Sequence, residues 1–181
     1  MILLAAQTGL RVSELISLTC GDIRLGTGAH VNCIGKGRKQ RITPLTQQTV
    51  TVLRAWTRER AGQPHDPLFT TATGRALSRD AVEHRLAKHT ANATTACPSL
   101  QAKRITPHVL RHTAAMRLLR AGVDTTVIAL WLGHEQIRTT QTYLHADLAI
   151  KEKALARTTP PNTKPGRYQP PDRILAFLDA L

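Results

Sequence analysis

Apolar residues recur every three or four positions over most of this chain, a spacing that places them on one face of a helix. The pattern predicts helices over residues 1–7, 11–19, 47–60, 78–96, 107–121 and 125–132. Ser78, Thr106 and Asp124 lie at the starts of three of these segments, and their side-chain oxygens suit helix N-caps. Pro107 at a first helical position and Gly133 after a helix end strengthen the prediction.

Two short segments, residues 30–34 and 41–45, have β-type sequences instead. Between them lies the glycine-bearing sequence Gly35-Lys36-Gly37-Arg38-Lys39-Gln40, which is typical of a hairpin loop. We therefore predict an α+β fold that is mainly α-helical. It comprises about seven to nine helices and a small antiparallel sheet around the Lys36 hairpin.

The C-terminal part of the chain changes character after a further short helix predicted at residues 138–144. Five of the ten prolines fall within residues 159–171, which indicates a linker. Residues 172–181 predict a terminal amphipathic helix with Ile174, Phe177, Leu178 and Leu181 on one face. The predicted organisation is a main domain over residues 1–158, the linker, and this helix.

Charge and composition narrow the class of partner. Lys and Arg number 25 against 12 Asp and Glu, a net charge of +13 that favours a polyanion, with nucleic acid first. Aromatic residues make up 3 %, which argues against a protein that stacks single-stranded bases. The longest purely apolar runs have six residues, and about 20 are needed to cross a membrane. The three cysteines lack a Cys-x-x-Cys spacing, so we expect a reducing cytoplasm and neither a disulfide framework nor a structural zinc site.

Four motifs combine residue types suited to phosphate chemistry. They are Thr8-Gly9-Leu10-Arg11-Val12-Ser13-Glu14-Leu15, Gly35-Lys36-Gly37-Arg38-Lys39-Gln40-Arg41-Ile42-Thr43-Pro44-Leu45, His108-Val109-Leu110-Arg111-His112, and Leu132-Gly133-His134 followed nine residues later by Tyr143. In these motifs the chain resembles the tyrosine recombinases, or phage-type integrases, from residue 1 to about residue 155. The resemblance implies six catalytic residues, in the expected order: Arg11, Lys36, His108, Arg111, His134 and Tyr143.

The resemblance also implies a mechanism on double-stranded DNA. Arg11 and Arg111 are expected in the first turns of helices, where backbone amides also face anions, and their guanidinium groups neutralise a phosphodiester. Tyr143 attacks phosphorus to form a 3′-phosphotyrosine, Lys36 protonates the departing 5′ oxygen, and His108 and His134 bind phosphate or relay protons. The ester retains the bond energy, so neither ATP nor a metal cofactor is expected.

Several residues have a plainer interpretation. Lys36 also suits a solvated turn, and Lys39 lies in the same loop. His108 and His112 have the i, i+4 spacing of a zinc pair, but Arg111 between them disfavours a cation, and we interpret His112 as a core histidine. Glu14 is expected to form a salt bridge with Arg11.

Tyr168, the second tyrosine of the chain, lies in the proline-rich linker, where a nucleophile is hard to hold in place. This position favours Tyr143 as the attacking residue.

The family implies an assembly larger than this chain. Its members usually carry an N-terminal helical domain, and seven residues precede the first motif here, so we expect a truncated copy or a fragment. Four protomers are expected to act on paired DNA sites. The terminal helix is expected to dock on a neighbouring protomer once DNA brings protomers together; the alternatives are that it folds back on its own domain or is disordered. The alternative function is that of a non-catalytic DNA-binding remnant of an integrase.

Overall fold

The computed structural model describes residues 1–35 and 40–134. These residues contain six α-helices and a three-stranded antiparallel sheet. The helices are α1 (Ile2–Thr8), α2 (Val12–Ser17), α3 (Gln47–Arg60), α4 (Arg79–Ala93), α5 (Pro107–Arg120) and α6 (Thr125–Leu132). The strands are β1 (Ile23–Arg24), β2 (His30–Ile34) and β3 (Gln40–Pro44). The predicted helices at 138–144 and 172–181 and the predicted linker at 159–171 lie outside the described residues.

The sheet has the order β1-β2-β3, with β2 in the centre. Val31 of β2 pairs with Ile23 on one side and Thr43 on the other, and all three side chains are buried. Ile34 pairs with Gln40 at the far end, so β2 and β3 are separated by five residues in sequence. The predicted β2 is confirmed. β3 begins and ends one residue earlier than predicted, because Gln40 joins the ladder and Leu45 lies beyond it.

Helix ends follow the capping residues in the sequence. The predicted bounds of α3 and α6 are confirmed. Ser78 caps α4, with its Oγ accepting from the Ala81 N–H at 3.1 Å, but the helix ends at Ala93 rather than at residue 96. The predicted helix over 11–19 shortens to α2 because Leu18 adopts an extended backbone, with ψ at 135°.

The α1–α2 turn packs against α5 and α6. Gly9 ends α1 in the left-handed conformation, with φ at +66°. A Cβ added at Gly9 would lie 2.5 Å from Leu132 Cδ2 and 3.3 Å from Ala114 Cβ. The glycine therefore allows the turn to approach the end of α6 closely, and this contact brings together the segments that carry the predicted site residues.

Candidate active site

Arg11 lies at the start of α2, where its backbone and its side chain both engage Glu14. The Arg11 backbone N–H donates to Glu14 Oε2 at 2.7 Å and Nη1 donates to Glu14 Oε1 at 2.9 Å, so the expected salt bridge is confirmed. Arg11 Nη2 donates to the Gly133 carbonyl at 3.1 Å. Arg11 is the N-cap residue, with an extended backbone, so its expected place inside the first helical turn is wrong by one residue.

Arg111 is the most deeply placed of the predicted site residues in the described part of the chain, with 7 % of its surface exposed. Its Nη1 donates to the Gly9 carbonyl, and Nη2 donates to the Leu132 carbonyl at 2.7 Å. The fifth residue of α5, it lies in the second helical turn rather than the first. A buried guanidinium needs acceptors, and these carbonyls orient it at the cleft.

His108 lies one helical turn before Arg111, on the same side of α5. Thr106 caps this helix, with its Oγ accepting from the Val109 N–H at 3.3 Å, and Pro107 fixes the first helical position. His108 is exposed. His112 is also exposed, so its interpretation as a core histidine is wrong. The buried face of α5 instead comprises Arg111, Ala114, Ala115 and Leu119, and position 112 turns away from it.

His134 follows the C-terminus of α6 and is half-buried. Gly133 ends the helix in the left-handed conformation, and the His134 backbone N–H donates to the Ala129 carbonyl at 2.9 Å. Burial, and then the positive charges of Arg111, Arg11 and Arg41, lower the pKa of His134 to about 4. The imidazole is therefore neutral at physiological pH in the absence of an anion.

Arg41 completes the arrangement, although sequence reasoning assigned it no role. Its Nη1 and Nη2 donate to Glu14 Oε1 and Oε2 at 2.9 and 2.8 Å. Burial raises the pKa of Glu14, but hydrogen bonds from Arg41 and Arg11 and the charge of Arg41 outweigh that effect, and the net shift of the pKa is downward. The available signal was its position in the second motif, two residues after Lys39.

One open cleft with a volume of about 600 Å³ lies beside the starts of α2 and α5 and the end of α6. Four predicted site residues line it: Arg11, His108, Arg111 and His134. Two further exposed arginines that the sequence analysis did not single out, Arg79 and Arg104, also line it. Glu83 is the carboxylate among the described lining residues, so four guanidinium groups face one negative charge. Such a cleft suits a polyanion.

Lys36 and Tyr143 lie outside the described residues. The strand end that leads to Lys36 is described, and Ile34 and Gly35 border a surface depression together with Arg11 and Ser13. The base of the hairpin is therefore adjacent to Arg11. Within residues 1–35 and 40–134 there is no cluster of three metal-ligating side chains.

Family comparison identifies the class of protein. Residues 1–149 match the phage integrase family, so the chain belongs to that family, the tyrosine recombinases. In the described part of the chain, no helix has the length and apolar character to cross a membrane.

Individual relatives agree with this assignment. The chain is 52 % identical over 180 residues to y4rC of Sinorhizobium fredii, which is named as an integrase/recombinase; the match covers 99 % of this chain and 54 % of that protein. It is 38 % identical over 157 residues to the tyrosine recombinase XerD of Pseudomonas aeruginosa, covering 84 % of this chain and 50 % of the relative. The chain thus spans about half the length of the curated relatives it matches.

Solved structures show the same fold. The XerA recombinase superposes with a TM-score of 0.73 at 30 % identity, covering 86 % of this chain and 56 % of that one. XerH bound to its palindromic difH substrate gives a TM-score of 0.71 at 28 % identity, covering 86 % of this chain and 44 % of that one. The expected catalytic-domain fold is confirmed.

Proposed function

We propose that this chain is the catalytic part of a site-specific recombinase that cuts and rejoins double-stranded DNA. The observation that carries the proposal is the convergence of Arg11, His108, Arg111 and His134 on one cleft with a large excess of positive charge. Family membership and the DNA-bound XerH structure support the same substrate class.

The two arginines of the motifs would bind the phosphate that is cut. A phosphodiester under attack accumulates negative charge on its non-bridging oxygens, and a guanidinium fork matches that geometry. Arg11 is fixed by Glu14 and the Gly133 carbonyl, and Arg111 by the carbonyls of Gly9 and Leu132. These contacts hold both groups before DNA arrives, so little reorganisation accompanies the reaction.

The histidines would take complementary roles. His134 is neutral in the free cleft and presents an imidazole that can donate to a phosphate oxygen. Bound phosphate would offset the arginine charges that depress its pKa, so DNA binding would make the ring more basic. His108 is exposed on the first turn of α5, one turn before Arg111, and would contact the same phosphate.

The remaining two roles fall to residues outside the described part of the chain. Tyr143, having lost its phenolic proton, would attack phosphorus as the phenolate and form a 3′-phosphotyrosine as the bond to the 5′ oxygen breaks. Lys36 would give that oxygen its proton. A 5′ hydroxyl attacking the phosphotyrosine would restore a DNA phosphodiester and release the tyrosine. The reaction would therefore require neither ATP nor a metal cofactor.

Recombination requires more than one active site. We propose that four copies assemble on paired DNA sites, with residues 172–181 of one copy docking on the next. Such an assembly would exchange strands between two duplexes rather than merely reseal one.

The decisive experiment traps the covalent intermediate. The chain is incubated with a random-sequence pool of end-labelled nicked duplexes, in which cleavage releases a short fragment and prevents rejoining. We expect an adduct that survives denaturation, and a nucleotide-bearing peptide that contains Tyr143. The trapped DNA, once sequenced, supplies a defined substrate for every later assay.

Two variants control this experiment. Tyr143→Phe should abolish the adduct because the nucleophilic oxygen is absent, and Tyr168→Phe should leave it intact. If the wild-type chain binds DNA but forms no adduct, the function is that of a non-catalytic DNA-binding remnant. An adduct on Tyr168 would refute the assignment of the nucleophile.

A further inference from the structure

Arg41 connects three parts of the site through one side chain. It lies on β3, directly after the hairpin loop, and pairs with Cys33 across the ladder. Its guanidinium forms a two-point ion pair with Glu14 of α2, at 2.9 and 2.8 Å. The same guanidinium packs over Gly133, where an added Cβ would lie only 2.7 Å from Arg41 Nη1.

The ion pair is shielded from water. The side chains of Arg41 and Glu14 are 11 % and 3 % exposed. Among the described residues, the Glu14 carboxylate accepts four hydrogen bonds, two from Arg41 and two from Arg11. Both carboxylate oxygens are thus shared between one arginine on the cleft and one behind it.

Because Arg11 and Arg41 share the Glu14 carboxylate, Arg11 keeps more positive charge with which to bind DNA. Two guanidinium groups share one carboxylate, so the trio carries a net positive charge. Without Arg41, the negative charge of Glu14 would fall on Arg11 alone, and a buried carboxylate with fewer donors would be more readily protonated. Arg41 also holds the base of the Lys36 hairpin against the start of α2, through contacts at described residues.

We propose that Arg41 is a positioning residue for DNA cleavage: through Glu14 it orients Arg11, and through Gly133 it fixes the turn that carries His134. This inference rests on the proposed function. It adds to the six residues implied by the family resemblance a seventh that need not touch the DNA.

The test compares Arg41→Met with Arg24→Met, which removes the same charge from an exposed site on β1. Single-turnover cleavage of the nicked duplex recovered from the random pool is measured at saturating protein, together with Kd. We expect Arg41→Met to slow cleavage about 10- to 100-fold, because small misplacements of reacting groups have effects of this size. Kd should change less than about threefold, and Arg24→Met should leave cleavage unchanged.

A double-mutant cycle identifies the route. If Arg41 acts through Glu14, the double variant Arg41→Met/Glu14→Gln should cleave about as slowly as the slower single variant. The rate of Arg41→Met should also fall toward acidic pH as Glu14 becomes protonated, and Glu14→Gln should remove that dependence. Multiplicative rate losses, or a loss confined to Kd, would make Arg41 a direct DNA contact and overturn the proposal.

A readout independent of cleavage separates this proposal from the proposed function. The Arg11 Nε–H and Glu14 carboxyl signals are followed by NMR in the free chain. Arg41→Met should shift the Arg11 signal and raise the pKa of Glu14, whereas Arg24→Met should do neither. If Arg41→Met fails to fold, Arg41→Lys, which keeps the charge but loses the fork, replaces it in every assay. An unchanged Arg11 signal would refute the positioning role whether or not the wild-type chain cuts DNA.

Discussion

At the scale of single residues, Arg111 serves both the fold and the cleft. Two of its N–H groups donate to the carbonyls of Gly9, 102 residues before it, and Leu132, 21 residues after it. These bonds join the α1–α2 turn to the end of α6. Replacing the guanidinium should therefore affect stability as well as the proposed cleavage.

Arg111→Lys should reduce both cleavage and stability. Lysine keeps the charge but cannot reproduce the fork, so cleavage should fall by at least about 100-fold while Kd for the duplex changes little. The loss of charge-assisted hydrogen bonds should lower the free energy of unfolding by about 2 kcal/mol. Adduct formation and urea unfolding measure the two effects. Arg104→Lys, an exposed change in the same cleft, is the control. A parallel loss of binding and cleavage would instead mark Arg111 as a general DNA contact.

His134 should make the stability of the folded chain depend on pH. Its pKa of about 4 lies below the ordinary value of 6.5, so the unfolded chain binds more protons between these pH values. The contribution of His134 to the free energy of unfolding is fully present above pH 6.5 and is lost as the pH falls toward 4. Urea unfolding across this range should show the trend, and His134→Gln should flatten it. A slope unchanged by that substitution would contradict the depressed pKa.

At the scale of elements, the α1–α2 turn depends on the absence of a side chain at Gly9. The turn needs a positive φ of +66° and leaves no room beside Leu132 and Ala114. Gly28 offers a matched comparison, because its φ is +68° and an added Cβ would meet nothing within 4 Å.

Gly9→Ala should therefore be more destabilising than Gly28→Ala. Both substitutions incur the left-handed backbone penalty of about 1 kcal/mol. Gly9→Ala adds overpacking of about 1–3 kcal/mol against Leu132 and Ala114. Thermal and urea unfolding of the two variants provide the comparison, and equal losses would show that the turn adapts freely.

At the scale of the whole molecule, positive charge is the dominant property of the chain. The net charge of +13 is distributed over the sequence, and the cleft holds four of its arginines. Charge of this kind binds phosphates with little regard to sequence, and each contact releases condensed counterions.

The logarithm of the DNA-binding constant should accordingly fall linearly with the logarithm of the salt concentration. The slope of this line should be about −0.9 for each phosphate contacted. Replacing both Arg79 and Arg104 with Met should reduce the steepness by about 2. The exposed Arg58 of α3 does not line the cleft, and Arg58→Met serves as the control. Fluorescence anisotropy at several salt concentrations measures each slope, and salt-independent binding would contradict this prediction.

The sequence alone determined the local structure and the class of protein. The helical spacing of apolar residues is visible in the sequence of residues 47–60 and 125–132. The ends of α6 are marked by Asp124 and Gly133, whose capping effects act within a few residues. The family motifs likewise identify their own residues, because residue type and order are features of the chain. Arg11, His108, Arg111 and His134 were selected in this way before their positions were known.

Only the tertiary structure decided which groups support those residues. Arg41 binds Glu14 across 27 positions, and the carbonyl partner of Arg11 at Gly133 is 122 positions away. No local pattern encodes such pairs, because every residue has a backbone carbonyl and the sequence does not show whether an arginine is buried or solvated. His112 shows the same limit: its spacing from His108 was visible, but its exposure depended on which face of α5 the rest of the fold covered. Long-range burial and pairing follow from how the elements pack, and that packing is the physical property that the linear pattern does not contain.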